Sequence, residues 1–150
     1  MAAPLQTEIL IPTPPAAVWR VLTDFPRYHE WNDFVRSVSG TPARHEKVTI
    51  ALDVGLSELN RQQVTITEFI PPETLVWTNK FLFGGIVTTE HYFELYREGP
   101  AETLLLQGMR SSGLLPALIN NPLEDVYLLR MREMNEALAR VAVARYQGLV

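Results

Sequence analysis

The chain contains no cysteine among its 150 residues. Disulfide frameworks, thiolate zinc sites and cysteine nucleophiles are excluded by that alone. Positive charge is also scarce: 13 Lys and Arg stand against 17 Asp and Glu, for a formal net charge of -4. With no basic footprint, nucleic acid is not an expected partner. Histidine occurs three times, at His29, His45 and His91. Their spacing matches no HExxH or other short ligand pattern, so no metal site is expected. Glycine-rich phosphate loops and the G-x-S-x-G nucleophile elbow are missing, and no cofactor is expected. No apolar run approaches the ~18–20 residues of a membrane span. The N-terminal "MAAPLQTEIL" lacks the basic and apolar blocks of a signal peptide. A cytoplasmic protein with no integral membrane insertion is the expectation.

What is present suits a packed core. The sequence is 47% hydrophobic and 20% charged, which supports one domain over residues 1–150. Leu5 to Pro12 is rich in Ile and Leu and reads as a strand. Thr13 is a fair N-cap, and Pro14 suits a first helical position. Val18, Val21, Leu22 and Phe25 then form one helical stripe, which Pro26 ends. "HEWNDF" reads as a second short helical turn, and "VRSVSG" as a strand closed by glycine. From Lys47 to Arg110 the period is two. Val48, Ile50, Leu52 and Val54 share a face, as do Val64 and Ile66, Leu75 and Trp77, His91, Phe93 and Leu95, and Leu105, Gln107 and Met109. Glu68 falls on the Val64 face by the same count. Turn signals at Pro71–Glu73, Gly84–Gly85 and Arg97–Glu102 make neighbouring strands antiparallel. A long helix is expected from Pro122, capped by Asn121, to about Tyr146, with Gly148 as its stop. Its apolar stripe is Leu123, Tyr127, Met131, Met134, Leu138 and Val141.

The order is strand, helix, short helix, about six antiparallel strands, long C-terminal helix. This is an α+β arrangement in which one curved sheet and one amphipathic rod must cover each other. A curled sheet cannot touch a straight rod everywhere. The space left over is filled by large side chains or remains a cavity.

Four stretches carry a resemblance to a known family: "IPTPPAAVWRVLTDFPRYHEWNDFV", "ITEFIPPETLVW", "TTEHYFEL", and "TLLLQGMRSSGLLPAL" followed by "MNEAL". In this order they resemble the START-related, helix-grip superfamily, also called SRPBCC, whose members include polyketide cyclases and lipid-transfer domains. The resemblance implies a helix-grip fold with two short helices after the first strand. It also implies a cavity for a small hydrophobic ligand: a lipid, a quinone or a polyketide-like molecule. Binding or transfer of such a ligand is the first functional expectation. A biosynthetic cyclase, dehydratase or isomerase using the same cavity is the second. Two departures from the family pattern bear on ligand choice. Asp33 stands where proline is common, and Met109 to Ser111 replaces acidic and aromatic residues.

The candidate site follows from face and stretch. His91 shares a face with Phe93 and Leu95, and reads either as a polar anchor and proton-transfer group or as a core histidine bonded to a carbonyl. "TDFPRYHEWNDFV" packs four aromatics into thirteen residues. Tyr28 and Trp31 there either anchor the loop or wall an entrance. Trp77, Asn79, Leu105, Gln107 and Met109 should face inward, and Asn79 and Gln107 would need polar partners. Tyr127, Met131 and Met134 point into the same space from the helix. Arg110 facing inward would select an anionic head group. "SGLLPALINNP" reads as an apolar flap that could touch a membrane transiently, or as a short helix on the sheet edge.

Overall fold

The computed structural model describes residues 4–81, 87–113 and 123–148. In chain order the elements are β1 (Leu5–Ile11), α1 (Pro15–Thr23), a 3-10 helix (Phe25–Glu30), β2 (Val35–Ser39), β3 (Lys47–Leu52), β4 (Asn60–Ile70), β5 (Thr74–Phe81), β6 (Val87–Gly99), β7 (Glu102–Gly113) and α2 (Glu124–Tyr146). The seven strands form one antiparallel sheet in the order β1-β7-β6-β5-β4-β3-β2. Each strand pairs with its successor except the first, which closes onto the last. The apolar positions read from period two, from Val48 through Leu105, lie on the buried face. Among the described residues no helix is long and apolar enough to cross a membrane.

The first helix starts differently from expectation. Pro14, not Thr13, occupies the cap of α1, in an extended conformation (φ -65°, ψ 152°) and without a side-chain cap. The reason is Pro15: a residue before proline is pushed out of helical geometry, so the helix cannot begin before Pro15 itself. Thr13 instead turns into the core, and its carbonyl accepts the Thr103 hydroxyl at 2.7 Å. The described part of α2 begins at Glu124 behind Leu123. Asn121 and Pro122 lie outside the described residues, as do the Gly84–Gly85 turn and most of the flap stretch. At its other end Gly148 has φ +76°, a left-handed geometry that a residue without Cβ adopts freely and that stops the helix.

Two contacts of α2 measure the curl. Asn135 reaches Thr7 on β1 at 2.9 Å, and Arg130 reaches Asp53 just past β3 at 3.6 Å. Laid flat, β1 and β3 would be about 24 Å apart, five spacings of ~4.8 Å. Residues 130 and 135 are only about 7.5 Å apart along the helix. One rod meets both sides because the sheet bends around it. A single hydrophobic cluster lines the inside, drawing on α1, the 3-10 helix, α2 and every strand.

A bulge changes one face. In β4, Ile66 pairs with Trp77 but Glu68 pairs with Val76, leaving Thr67 as the extra residue. Glu68 therefore exits to the outer, solvent face, not the Val64 face assigned by simple alternation. Phe69 returns inward, where its ring meets Trp19 at 5.3 Å.

Arg110 is settled by the same parity. Its guanidinium lies 4.3 Å from the centre of the Tyr92 ring, on the outer face of the sheet. Gly108 lies directly beneath that ring. A Cβ there would collide with the Tyr92 side chain and sit 2.6 Å from the Leu5 carbonyl oxygen. The Tyr92 hydroxyl completes the layer by donating to Gln6 Oε1 at 2.6 Å.

Candidate functional site

Register places the site. Across β5, β6 and β7 the inner face carries one row of Trp77, His91 and Met109 and a second of Leu75, Phe93 and Gln107, the latter continued onto β1 by Thr7. α2 lies over these rows with Tyr127, Met131, Met134, Asn135 and Leu138 buried.

His91 is 3% exposed and ringed by aromatics. Phe93 stacks on it at 4.7 Å and 19°, Trp77 meets it edge-on at 5.1 Å, and Phe34 lies at 6.0 Å. Phe34 also touches Tyr127, at 6.1 Å, and so links the loop to α2. The local cause is Asn32, whose Oδ1 accepts the backbone N–H groups of Phe34 and Val35 at 3.0 and 2.9 Å. This Asx turn aims the Phe34 ring inward. Among the described residues, Asn32 Nδ2 and Trp31 Nε1 are buried donors without a partner.

Four of the buried polar side chains form one hydrogen-bonded chain. His91 Nε2 lies 2.9 Å from Gln107 Oε1. Gln107 Nε2 donates to the Met131 carbonyl at 3.2 Å and to Asn135 Oδ1 at 2.7 Å. Asn135 Nδ2 donates to Thr7 Oγ1 at 2.9 Å, and that hydroxyl donates to the Gln107 carbonyl at 3.0 Å. Burial drives the His91 pKa down to about 4, against the opposing pull of Gln107 Oε1, which favours the charged ring. The ring is therefore neutral at physiological pH.

The predicted residues fall into two groups. Trp77, His91, Phe93, Leu105, Gln107, Met131 and Met134 are buried on facing surfaces of sheet and helix, with Tyr127 at their edge through Phe34. Met109 is half-buried and packs against the same cluster. The other group lies apart. Tyr28 is fully buried, donates its hydroxyl to the Leu22 carbonyl and meets Phe25 and Trp31 edge-on at 5.7 and 5.1 Å. Burial, with a smaller push from Asp24, raises its phenol pKa. Trp31 is half-buried beside it. Asn79 sits near the sheet end, half-buried, where its Nδ2 donates to Gln62 Oε1 at 2.9 Å.

Phe34, Asn135 and Thr7 join the candidate site through their contacts with His91, Gln107 and one another's partners. Phe34 had a signal, as the fourth aromatic of the opening loop. Asn135 follows Met131 by four residues, a polar side chain on the apolar stripe. Thr7 shares the alternating face of Ile9 and Ile11. A separate open groove of ≈ 380 Å³ lies where Pro12 meets Ala139, Arg140, Val143, Ala144 and Gln147. It contains none of the predicted residues.

Comparison with known proteins gives concordant results. Residues 3–101 match the family model for polyketide cyclase / dehydrase and lipid transport. No curated protein sequence matches the chain significantly. Among solved structures, the Zhui aromatase/cyclase from Streptomyces sp. R1128 superposes with a TM-score of 0.74 at 18% identity, covering 96% of this chain and 95% of that one. A START superfamily protein from Mycobacterium smegmatis gives 0.70 at 14% identity, covering 91% and 94%. A conserved protein from Geobacillus kaustophilus gives 0.64 at 17% identity, covering 92% and 93%. At such identities the likeness is one of fold.

Proposed function

The chain belongs to the polyketide cyclase / dehydrase and lipid transport family, and from that premise we propose that it binds or transfers a small hydrophobic molecule between sheet and α2. The candidates are a lipid, a quinone or a polyketide-like aromatic. The observation that carries the reading is the setting of His91: one neutral polar ring among Phe34, Trp77 and Phe93, in an interior to which α2 adds the buried Met131 and Met134. Ligand sites combine mostly apolar walls with a few placed polar groups. The walls would supply affinity at roughly 25 cal/mol per Å² of apolar surface covered. His91 would set orientation.

Catalysis by His91, as a cyclase, dehydratase or isomerase would need, has weaker support. With its pKa at about 4, roughly one ring in a thousand would carry a proton at pH 7. Acid–base groups work best with a pKa near the operating pH. A hydrogen-bonding anchor needs no proton transfer at all.

Native mass spectrometry of the purified protein tests the reading. The expected spectrum carries a mass above that of the chain, lost on denaturation, that identifies the guest. A stripped protein that takes up neither a fatty acid, nor a quinone, nor a naphthol in titration contradicts it.

A further inference from the structure

The polar chain behind His91 has only one consistent arrangement of hydrogens. Gln107 has an amide nitrogen and an amide oxygen that could exchange places. The Met131 carbonyl oxygen, 3.2 Å from one of them, can only accept. That atom is therefore the nitrogen, and the oxygen faces His91. Asn135 is fixed by the same logic. The Thr7 hydroxyl commits its hydrogen to the Gln107 carbonyl, so it must accept from Asn135 Nδ2. Asn135 Oδ1 then faces Gln107 and takes its second amide hydrogen. Both ends of the chain are backbone carbonyls, which have no alternative role. His91 Nε2 meets an acceptor and must carry the hydrogen. A neutral imidazole has one N–H, so Nδ1 is left as a bare lone pair. Among the described residues the side-chain hydrogen bond of His91 is the one from Nε2 to Gln107.

We propose that Thr7, Asn135 and Gln107 are positioning residues that lock His91 in its Nε2–H form, so that the ring offers a bound molecule one acceptor and no donor. The ligand class follows: a hydrophobic molecule presenting an O–H donor, such as a phenol or an enol, in preference to a quinone carbonyl or a carboxylate. This class rests on the reading of His91 as a ligand anchor; the locked tautomer does not.

The two parts separate in one experiment. The full chain is prepared with isotope-labelled histidine, and a long-range proton–nitrogen spectrum reports the tautomer of His91 without ligand. A pure Nε2–H ring is expected in the parent protein. Gln107→Met should release a mixture of tautomers. Asn135→Leu removes one of the two acceptors that hold the Gln107 amide and should give a smaller Nδ1–H fraction. An Nδ1–H ring or a mixture in the parent protein overturns the lock, whatever the variants do. β-Naphthol and its methyl ether are then titrated by calorimetry. The alcohol should bind about tenfold more tightly, the worth of one good hydrogen bond, and the preference should shrink in Gln107→Met. Equal binding of the two overturns the O–H class while leaving the ligand reading intact. Binding of neither overturns the ligand reading and the class with it.

Discussion

Acid should weaken this fold earlier than its carboxylates alone would dictate, and His91 is the reason. Its ordinary pKa is 6.5, and burial in the folded chain lowers it to about 4. On acidification the unfolded chain therefore takes up a proton first. The stabilising contribution is complete above pH 6.5 and is lost as pH falls toward 4. Integrated from pH 7.5 down to pH 5, the loss is about 2 kcal/mol for this one group. Stopping at pH 5 keeps ordinary carboxylates, with pKa values near 4, from dominating the slope. Urea unfolding followed by circular dichroism at several pH values measures it, since the midpoint moves while the slope against denaturant stays constant. His91→Phe supplies the comparison. Phenylalanine preserves the stack on Phe93 and the edge contact with Trp77 but cannot titrate. The variant should be less stable at pH 7.5, because Gln107 Oε1 loses its donor, yet flatter between pH 7.5 and 5. His29 and His45 are exposed and remain in both proteins. Parallel pH profiles for the two proteins would refute the buried, neutral His91.

Three further outcomes are expected. Gln107→Leu strands the His91 N–H and Asn135 Oδ1 in the core, and should lower stability by about 2–4 kcal/mol, read from the urea midpoint; combining it with His91→Phe should cost less than the two losses added, as coupled neighbours do. Gly108→Ala forces a methyl group against Tyr92 and the Leu5 carbonyl, and should cost about 1–3 kcal/mol through overpacking, seen as a lower melting temperature. Asp53→Ala removes the pairs with Arg36 at 3.7 Å and Arg130 at 3.6 Å; because these groups are partly solvated, the loss should be only about 0.5–1 kcal/mol, with the ion-pair part fading in high salt.

Much of this architecture was legible because alternation is a local property. The inner faces of β3, β5, β6 and β7 follow directly from period two, and α1 from the Val18, Val21, Leu22 and Phe25 stripe. Local reading failed where a neighbour decides. Nothing in "TITEFIPPE" announces that Thr67 bulges, so strict alternation puts Glu68 on the wrong face. Thr13 looked like a cap because its residue type is right; the proline pair after it set the boundary instead. The site divides the same way. His91, Trp77 and Phe93 share a face that the sequence displays, but the partner of Gln107 depends on register. Only the pairing of β1 with β7 sets Thr7 opposite Gln107, and only the seating of α2 brings Asn135 to both. Asp53, which ties α2 to the far side of the sheet, carries no local signature of that role.

The central claim is that the interior beside His91 accepts an apolar guest. Magnetisation transfer between bound β-naphthol and the methyl groups of Met131 and Met134, in protein labelled at methionine methyls, tests it most directly. The account predicts cross-peaks from the naphthol ring to both methyl groups, which are buried in the ligand-free protein. Saturable binding with no cross-peak to either methyl, and shift changes confined to the groove beside Pro12, would contradict it.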